Sequence, residues 1–558
     1  GNVQCGQVAR AGPTSVTCVT APSPQPGTFA LTVTNPDGQQ VTVQNGFSYD
    51  LGGRYVESGQ RLPLEASDQK RSILLVDIDK DNDLDLFQMS WMSSGSRATN
   101  SLAINDGTGR FIPATQNLPT EPQYWPYPVP QYHQVEFADV DKDLDTDILY
   151  LNDRQIVLYR NDGAGRYTRQ DYPLCPDSGN GIGQNTQARG FTLGDLDGDG
   201  DLDIAVARLS NGITCWDTWR TPAANVGRNG DLIMINDGAG NFRNRYDGIP
   251  QIGDDSMSVV IADFDRDGDN DLLYVNETNH QNRLYYNQGN TNGLPVFADV
   301  SLSLLGVSGG NGQQVAVGDV DGDGDRDIVI GNNGQRNRLY INDGFGKFTD
   351  VTLTARMPAD IDNTYNVWLR DIDNDGDLDM LTRRAPTTAA PLPMRIYRND
   401  GTGFFAADAA PTILPRDIGE NLYSVTFGDV NKDGYLDMVW MQEGFQNRLL
   451  LNDTNGKFVR NTITNFPEDN LPTEDAVAVD VDGDGDLDIA MCGYWFTWPN
   501  WFGMRPRLYL NDGAGNFVDY TDARMPNIVP SCWDIDAADI DGDGDMDLFV
   551  SSVHNPGT

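Results

Sequence analysis

The chain has 558 residues, 82 of them acidic and 39 basic, and a formal net charge of −43 at pH 7. Such a surface repels nucleic acid and anionic membranes, and the few Lys and Arg form no basic stripe to overcome the repulsion. The length would ordinarily imply several domains, but an internal repeat overrides that estimate.

The first fifty residues stand apart. Cys5 and Cys18 bracket a short loop, and "TAPSPQPGTFALTVTNPDGQQVTVQNGFSY" follows. This stretch resembles the second half of an IPT/TIG immunoglobulin-like domain, which ends in such an "NGFSY" strand. The resemblance implies that 1–50 is a partial module, with Gly1 expected inside a longer chain. No signal peptide or membrane span is legible, and direct membrane insertion is not expected.

From residue 51 to 558 one acidic string recurs nine times, as in "DVDGDGDRD" at 319–327. Bare like charges at this density usually mark a solvated, disordered loop. Here each string is entered by an apolar alternation such as "QQVAVGD" and left by another such as "RDIVIGN", so a folded loop is expected. Numbered from its first residue, each loop offers oxygen at positions 1, 3, 5, 7 and 9, position 7 through its backbone carbonyl. In chain order these are Asp77, Asp79, Asp81, Asp83 and Asp85; Asp139, Asp141, Asp143, Asp145 and Asp147; Asp195, Asp197, Asp199, Asp201 and Asp203. Next come Asp263, Asp265, Asp267, Asp269 and Asp271; Asp319, Asp321, Asp323, Asp325 and Asp327; Asp371, Asp373, Asp375, Asp377 and Asp379. The last three sets are Asp429, Asn431, Asp433, Tyr435 and Asp437; Asp480, Asp482, Asp484, Asp486 and Asp488; Asp539, Asp541, Asp543, Asp545 and Asp547. Hard oxygen ligands in this number suit calcium; magnesium demands a tighter octahedron and zinc prefers nitrogen or sulfur. Up to nine Ca2+ sites are therefore expected.

Position 6, where the chain must turn sharply, is glycine in seven copies. Asn82 replaces it mildly, because Asn tolerates a left-handed backbone, whereas Leu144 is costlier and should distort or weaken its loop. Asn431 replaces an acid but keeps an oxygen. The nine loops hold 43 of the 82 acidic residues, so the net charge is a property of the motif, and nine calcium ions would bring it to −25.

Each unit carries a second signature, typified by "RLYINDGFGKFTDV" at 338–351. Asp-Gly followed by another glycine between alternating apolar runs signals a hairpin, because these residues accept positive φ. Each unit thus reads as strand, metal loop, strand, long connection, strand, tight turn, strand. No segment shows a sustained helical period. Successive loops start 51 to 68 residues apart, which excludes a β-helix with its nine-residue calcium repeat and favours an all-β propeller of four-stranded blades.

The D-x-D-x-D-G-x-x-D loop between two strands, entered through "VGD" or "FGD", resembles the FG-GAP or VCBS repeat of the integrin α-chain propeller and of many bacterial surface proteins. The resemblance covers residues 51–558 and implies calcium in the loops and a secreted or cell-surface setting. It implies no single activity. Nine repeats are counted. The ninth lacks strands three and four before the chain stops at "SSVHNPGT", and "NGFSYDLGGRYVESGQRLP" near the start has the look of those strands, so joining the two would close the ring. Eight blades, with the terminal pieces merged or displaced into the immunoglobulin-like module, is the alternative.

Six cysteines fit an oxidising compartment, with Cys5–Cys18, Cys175–Cys215 and Cys492–Cys532 as local disulfide candidates. No pair has the Cys-x-x-Cys spacing of a zinc site. Strand alternation puts the metal loop and the Asp-Gly hairpin at one end of each blade and the variable connections at the other. Those connections hold Trp125, Trp216, Trp219, Trp495, Trp498 and Trp501, with Trp91 at the edge of one. Aromatic loops on a rigid scaffold form recognition surfaces, here for a protein or a carbohydrate; the alternative is that the rings cover the propeller's own rim. The leading reading is an extracellular recognition or adhesion scaffold. One alternative is a polysaccharide lyase, with His133 or Tyr132 as acid-base group beside a calcium or arginine. Another is a self-assembling subunit of a filament or sheath.

Overall fold

The protein is seen in a computed structural model that describes residues 69–552, apart from 92–99, 120–131, 153–154, 175–187, 210–229, 246–247, 251, 292, 385–393, 406–421, 443–445, 455, 461–464, 469–470 and 498–499. Of 1–68 it describes the backbone of four strands, Cys5–Arg10 paired with Val16–Thr20, and Gly27–Thr34 paired with Gln40–Tyr49. Almost all regular structure is β, and no described helix is long and apolar enough to cross a membrane.

The expected unit recurs along the chain. In the second, Tyr132–Ala138, Asp147–Asn152, Gln155–Asn161 and Tyr167–Pro173 pair antiparallel in chain order, with the Asp139 loop between the first two strands and the Asn-Asp-Gly turn between the last two. Nine such units follow one another. Among the described residues the sixth shows three strands and the ninth two, Cys532–Ala538 and Asp547–Ser552. The strands proposed to complete the ninth fall largely on 50–68, outside the described residues, and the "NGFSY" strand has Gly27–Thr34 as its described partner.

The second strand of each unit is a continuous apolar run rather than a half-polar alternation, because both faces of a blade are buried. In Asp147–Asn152, Ile148 and Tyr150 enter the core shared with the first blade, while Leu149 and Leu151 enter the core shared with the third. The same division recurs at Ile204 and Val206 against Ala205 and Ala207. A core of this kind joins every consecutive pair of units. The last joins Ile540 and Phe549 of the ninth back to Leu86, Ala103 and Phe111 of the first, where Phe111 and Phe549 meet edge to face at 5.7 Å. The series of cores therefore returns to its start.

First strands of adjacent blades touch one another, which places them innermost. Glutamines lock some of these inner contacts: Gln134 accepts the Phe191 N–H and donates to its carbonyl, both at 3.0 Å, and Gln314 accepts the Val367 N–H at 3.0 Å. At the far end of the ring, Cys492 and Cys532 form a disulfide that ties the eighth blade to the ninth. Cys175 and Cys215 lie outside the described residues, and Cys5 and Cys18 sit in strands described by backbone alone.

One connection is corrected by the structure. The stretch "CGYWFTWPNWFGMRP" is not a loop: the strand Asp488–Thr497 runs on past its blade and folds back as Asn500–Gly503, with Trp495 opposite Phe502 and Phe496 opposite Trp501. Its density of β-favouring aromatics explains the extension.

Candidate metal loops and the clasps between them

Every loop uses the same backbone. Position 6 is left-handed throughout, at φ 71° for Asn82, 70° for Leu144 and 84° to 97° for the seven glycines. Position 4 is left-handed too, including Lys80, Lys142, Arg266, Asn374 and Lys432, a second turn that the glycine at position 6 did not reveal. The position 1 carboxylate organises the turn. Asp195 Oδ2 accepts the Gly200 N–H at 2.9 Å, and Asp139 Oδ2 accepts the Leu144 N–H at 3.0 Å. The expected distortion at Leu144 is thus absent. Its side chain stands 80% exposed, so the cost is confined to a Cβ in a conformation that L residues avoid. Leu144→Gly is expected to stabilise the protein by about 1 kcal/mol and to tighten cation binding at that loop. Differential scanning calorimetry of the two proteins checks it, and a lower melting temperature for the variant would contradict it.

Position 9 is the buried anchor. Asp327, fully buried, accepts the Val320 N–H from its own loop and the Asn342 N–H from the hairpin, both at 2.8 Å. Asp85, Asp147, Asp203, Asp271, Asp379, Asp437 and Asp488 do the same. Burial pushes the carboxyl of Asp327 up to about 7, partly offset by those two backbone donors, and its counterparts shift likewise. Position 3 faces into the loop. Burial raises Asp79, Asp141 and Asp321, and Asp197 to about 6, with the position 5 neighbour adding repulsion in each case.

Carboxylate oxygens converge accordingly. In the groups Asp77, Asp79 and Asp85; Asp139, Asp141 and Asp147; Asp195, Asp197 and Asp199; Asp263, Asp265 and Asp271; and Asp319, Asp321 and Asp327, one oxygen from each residue lies within 4.8 Å of the others. Moreover, Oδ1 of Asp79, Asp141, Asp197, Asp321, Asp373 and Asp482 is buried without a hydrogen-bond donor. Six equivalent orphaned anionic oxygens need a partner, and a hard cation supplies one.

Position 7 behaves differently, as its assignment to the backbone carbonyl requires. Its side chain, itself buried, pairs with a cation at position 4 of the preceding loop: Asp145 with Lys80, Asp201 with Lys142, Asp325 with Arg266 and Asp486 with Lys432. The cation of each pair is half-exposed and screened by solvent, while the carboxylate is covered. The same carboxylate presses on the first hairpin glycine. A Cβ at Gly163, whose φ is +74°, would stand 2.5 Å from Asp145 Oδ2, so both the turn and the close approach demand glycine.

A residue that the sequence reading passed over links loop to loop. The Asn that opens each hairpin turn reaches back to the previous unit and donates its Nδ2 to the carbonyl at loop position 2. Asn161 bonds Ile78 at 2.7 Å, Asn236 Val140 at 2.7 Å, Asn342 Phe264 at 2.8 Å and Asn452 Ile372 at 2.7 Å. Asn287, Asn399 and Asn511 repeat it on Leu196, Val320 and Val430. Asn105 of the first unit donates to Ile540 of the ninth at 2.7 Å, so the clasp crosses the ring's junction unchanged. The available signal was the recurrence of Asn where the turn itself asks only for Asp-Gly.

The aromatic connection residues are less visible. Trp125, Trp216, Trp219 and Trp498 lie outside the described residues, and for Trp495, Trp501, Tyr132 and His133 only the backbone is described. His280 is structural, its Nδ1 accepting the Asp255 N–H at 2.9 Å.

The FG-GAP-like repeat profile matches residues 139–206, 223–274, 263–330, 319–382, 389–440 and 500–550, and the chain belongs to that family. The Asp77 and Asp480 loops lie outside those matches but share the geometry just described. No curated protein matches the chain. Among solved structures, an Agrocybe aegerita lectin, described as recognising non-reducing terminal N-acetylglucosamine, is 16% identical with a TM-score of 0.36, over 73% of this chain and 95% of that one. The V. cholerae biofilm matrix protein Bap1 is 11% identical with a TM-score of 0.30, over 88% of each chain.

Proposed function

We propose that this chain is an extracellular propeller held together by calcium, acting as a recognition scaffold for a carbohydrate or protein partner. The observation that carries the calcium assignment is the set of orphaned position 3 oxygens, which at Asp79, Asp141 and Asp321 lie beside the carboxylates of positions 1 and 9 and at Asp197 beside those of positions 1 and 5. The all-oxygen donor set and loop spacing favour calcium over magnesium and zinc. Asp77 through Asp547, at positions 1, 3, 5 and 9 with carbonyls at position 7, would hold up to nine ions; bound there, calcium neutralises carboxylates that otherwise repel. The disulfide between Cys492 and Cys532 supports an oxidising, extracellular setting. The strands of 5–49 are in keeping with a partial immunoglobulin-like module preceding the ring.

Recognition is assigned to the connection end. Strand alternation puts Trp216, Trp219, Trp495, Trp498 and Trp501 opposite the aspartate loops, and the hairpin that carries Trp495 and Trp501 projects beyond its blade. Replacing Trp495 and Trp501 with Ala should weaken partner binding at least tenfold and leave calcium stoichiometry intact. Asp323→Ala should lose one ion and barely affect binding. Pull-down from extracellular matrix material, with glycan arrays alongside, measures both. Abolished binding in a folded Asp323 variant, with the tryptophan variant unaffected, would invert the assignment.

A further inference from the structure

We propose that the cleft between the sixth and seventh blades binds an acidic saccharide, Arg370 and Arg383 pairing with its carboxylates and Trp368 packing against a sugar ring. The site is separate from the connection end and stands or falls independently of it. A cavity of about 340 Å3 lies beside the inner strands there, lined by Trp368, Arg370, Leu381, Arg383, Ser424 and Phe427 among others. That volume is at the lower end of the range for small-ligand sites.

The register builds the cleft. Trp368 pairs with Leu381, Arg370 with Asp379, and Arg383 with Asn366, so an indole and an aliphatic side chain form the middle and a cation stands at each diagonal end. Four residues of strand separate those ends, ~13 Å at the usual rise. Both arginines are exposed and neither forms an ion pair among the described residues; the hydrogen bond that Arg370 makes runs to the neighbouring Leu369 carbonyl at 3.3 Å. Asp379, opposite Arg370 in the register, is turned to backbone donors instead, its two oxygens accepting the Ile372 and Asn399 N–H groups at 3.0 and 2.7 Å. In a chain of net charge −43, whose loop cations at Lys80, Lys142, Arg266 and Lys432 are already paired, this is a local cationic site with an aromatic centre. The Ser424 hydroxyl donates to Asp475 at 3.2 Å and so presents its lone pairs to a ligand hydroxyl.

The spacing selects the ligand. A lone phosphate or sulfate is held by donors converging on one point, whereas here the cations flank an apolar middle. A short run of hexuronate units offers acid groups at intervals and a flat C–H face between them. Among the described residues the lining includes no His, Tyr, Lys or carboxylate to act as a general base, and the proposal is one of binding.

Isothermal titration of the calcium-loaded full chain with trigalacturonate tests this. One equivalent should bind, weakening with added salt. Arg370→Ala or Arg383→Ala should each reduce affinity about tenfold or more with melting temperature and calcium content unchanged, and Trp368→Phe should retain more affinity than Trp368→Ala. Neutral maltotriose should not compete. Absent binding, equal binding of maltotriose, displacement by inorganic sulfate or an oligoglutamate peptide at equal concentration, or arginine variants that bind normally would each overturn the proposal. Binding lost only in the Trp495 and Trp501 variants would move the saccharide to the connection end, leaving the recognition reading intact while refuting this site.

Discussion

Exhaustive chelation of calcium should lower the melting temperature by roughly 10 °C or more. A ligand at a hundred times its dissociation constant stabilises the folded state by about 2.7 kcal/mol per site, and a few such sites suffice for a shift of that size. The physical source is mutual repulsion: without a cation, carboxylates at positions 1 and 3 and at position 9 or 5 face one another within 4.8 Å, some oxygens with no hydrogen-bond donor. The loops also hold the carbonyls that the clasp asparagines grip, so a loop that opens releases the next blade. Calcium should restore the melting curve more effectively than magnesium, whose octahedron fits these loops poorly. A curve unchanged by chelation would contradict the account.

The second large effect is expected at position 9, in contrast to position 7 two residues away. Asp327→Ala strands two buried N–H groups, of Val320 and Asn342, and each uncompensated donor costs about 1–3 kcal/mol. With the lost ligand the total should reach roughly 3–5 kcal/mol, seen as a lower melting temperature and faster proteolysis at the fourth and fifth blades. Asp325→Asn keeps the backbone carbonyl and a side chain of the same shape, and it loses only the charge paired with the exposed Arg266 guanidinium, so it should cost clearly less than Asp327→Ala, on the order of 1 kcal/mol. Equal costs for the two variants would show that the roles of these positions are wrongly divided.

What the sequence disclosed was what is local in it. The nine loops and the Asp-Gly hairpins are short strings whose charge spacing and positive-φ residues carry their own geometry, so Asp319 to Asp327 could be numbered as ligands directly. The clasp joins residues far apart in sequence, as in Asn342 to Phe264 or Asn105 to Ile540, and no local pattern announces such a contact. The left-handed turn at position 4 was hidden because Lys80, Lys142, Arg266 and Lys432 occupy it, residues whose long side chains are wanted for the Asp of the next loop. Leu144 shows the converse: a residue that disfavours the turn is held in it because Asp139 and the neighbouring strands leave the backbone no alternative. The cleft at Trp368 has no local signature, because its residues are strand positions whose alternation looks like that of any blade.

Anomalous diffraction from crystals grown in calcium, recorded at a long wavelength where calcium scatters anomalously, bears most directly on the claim that these loops are cation sites that brace the ring. The account predicts one peak in each of the nine loops, lying among the carboxylates of positions 1, 3, 5 and 9 and the carbonyl of position 7. Loops without peaks at saturating calcium, or peaks placed elsewhere on the molecule, would contradict it.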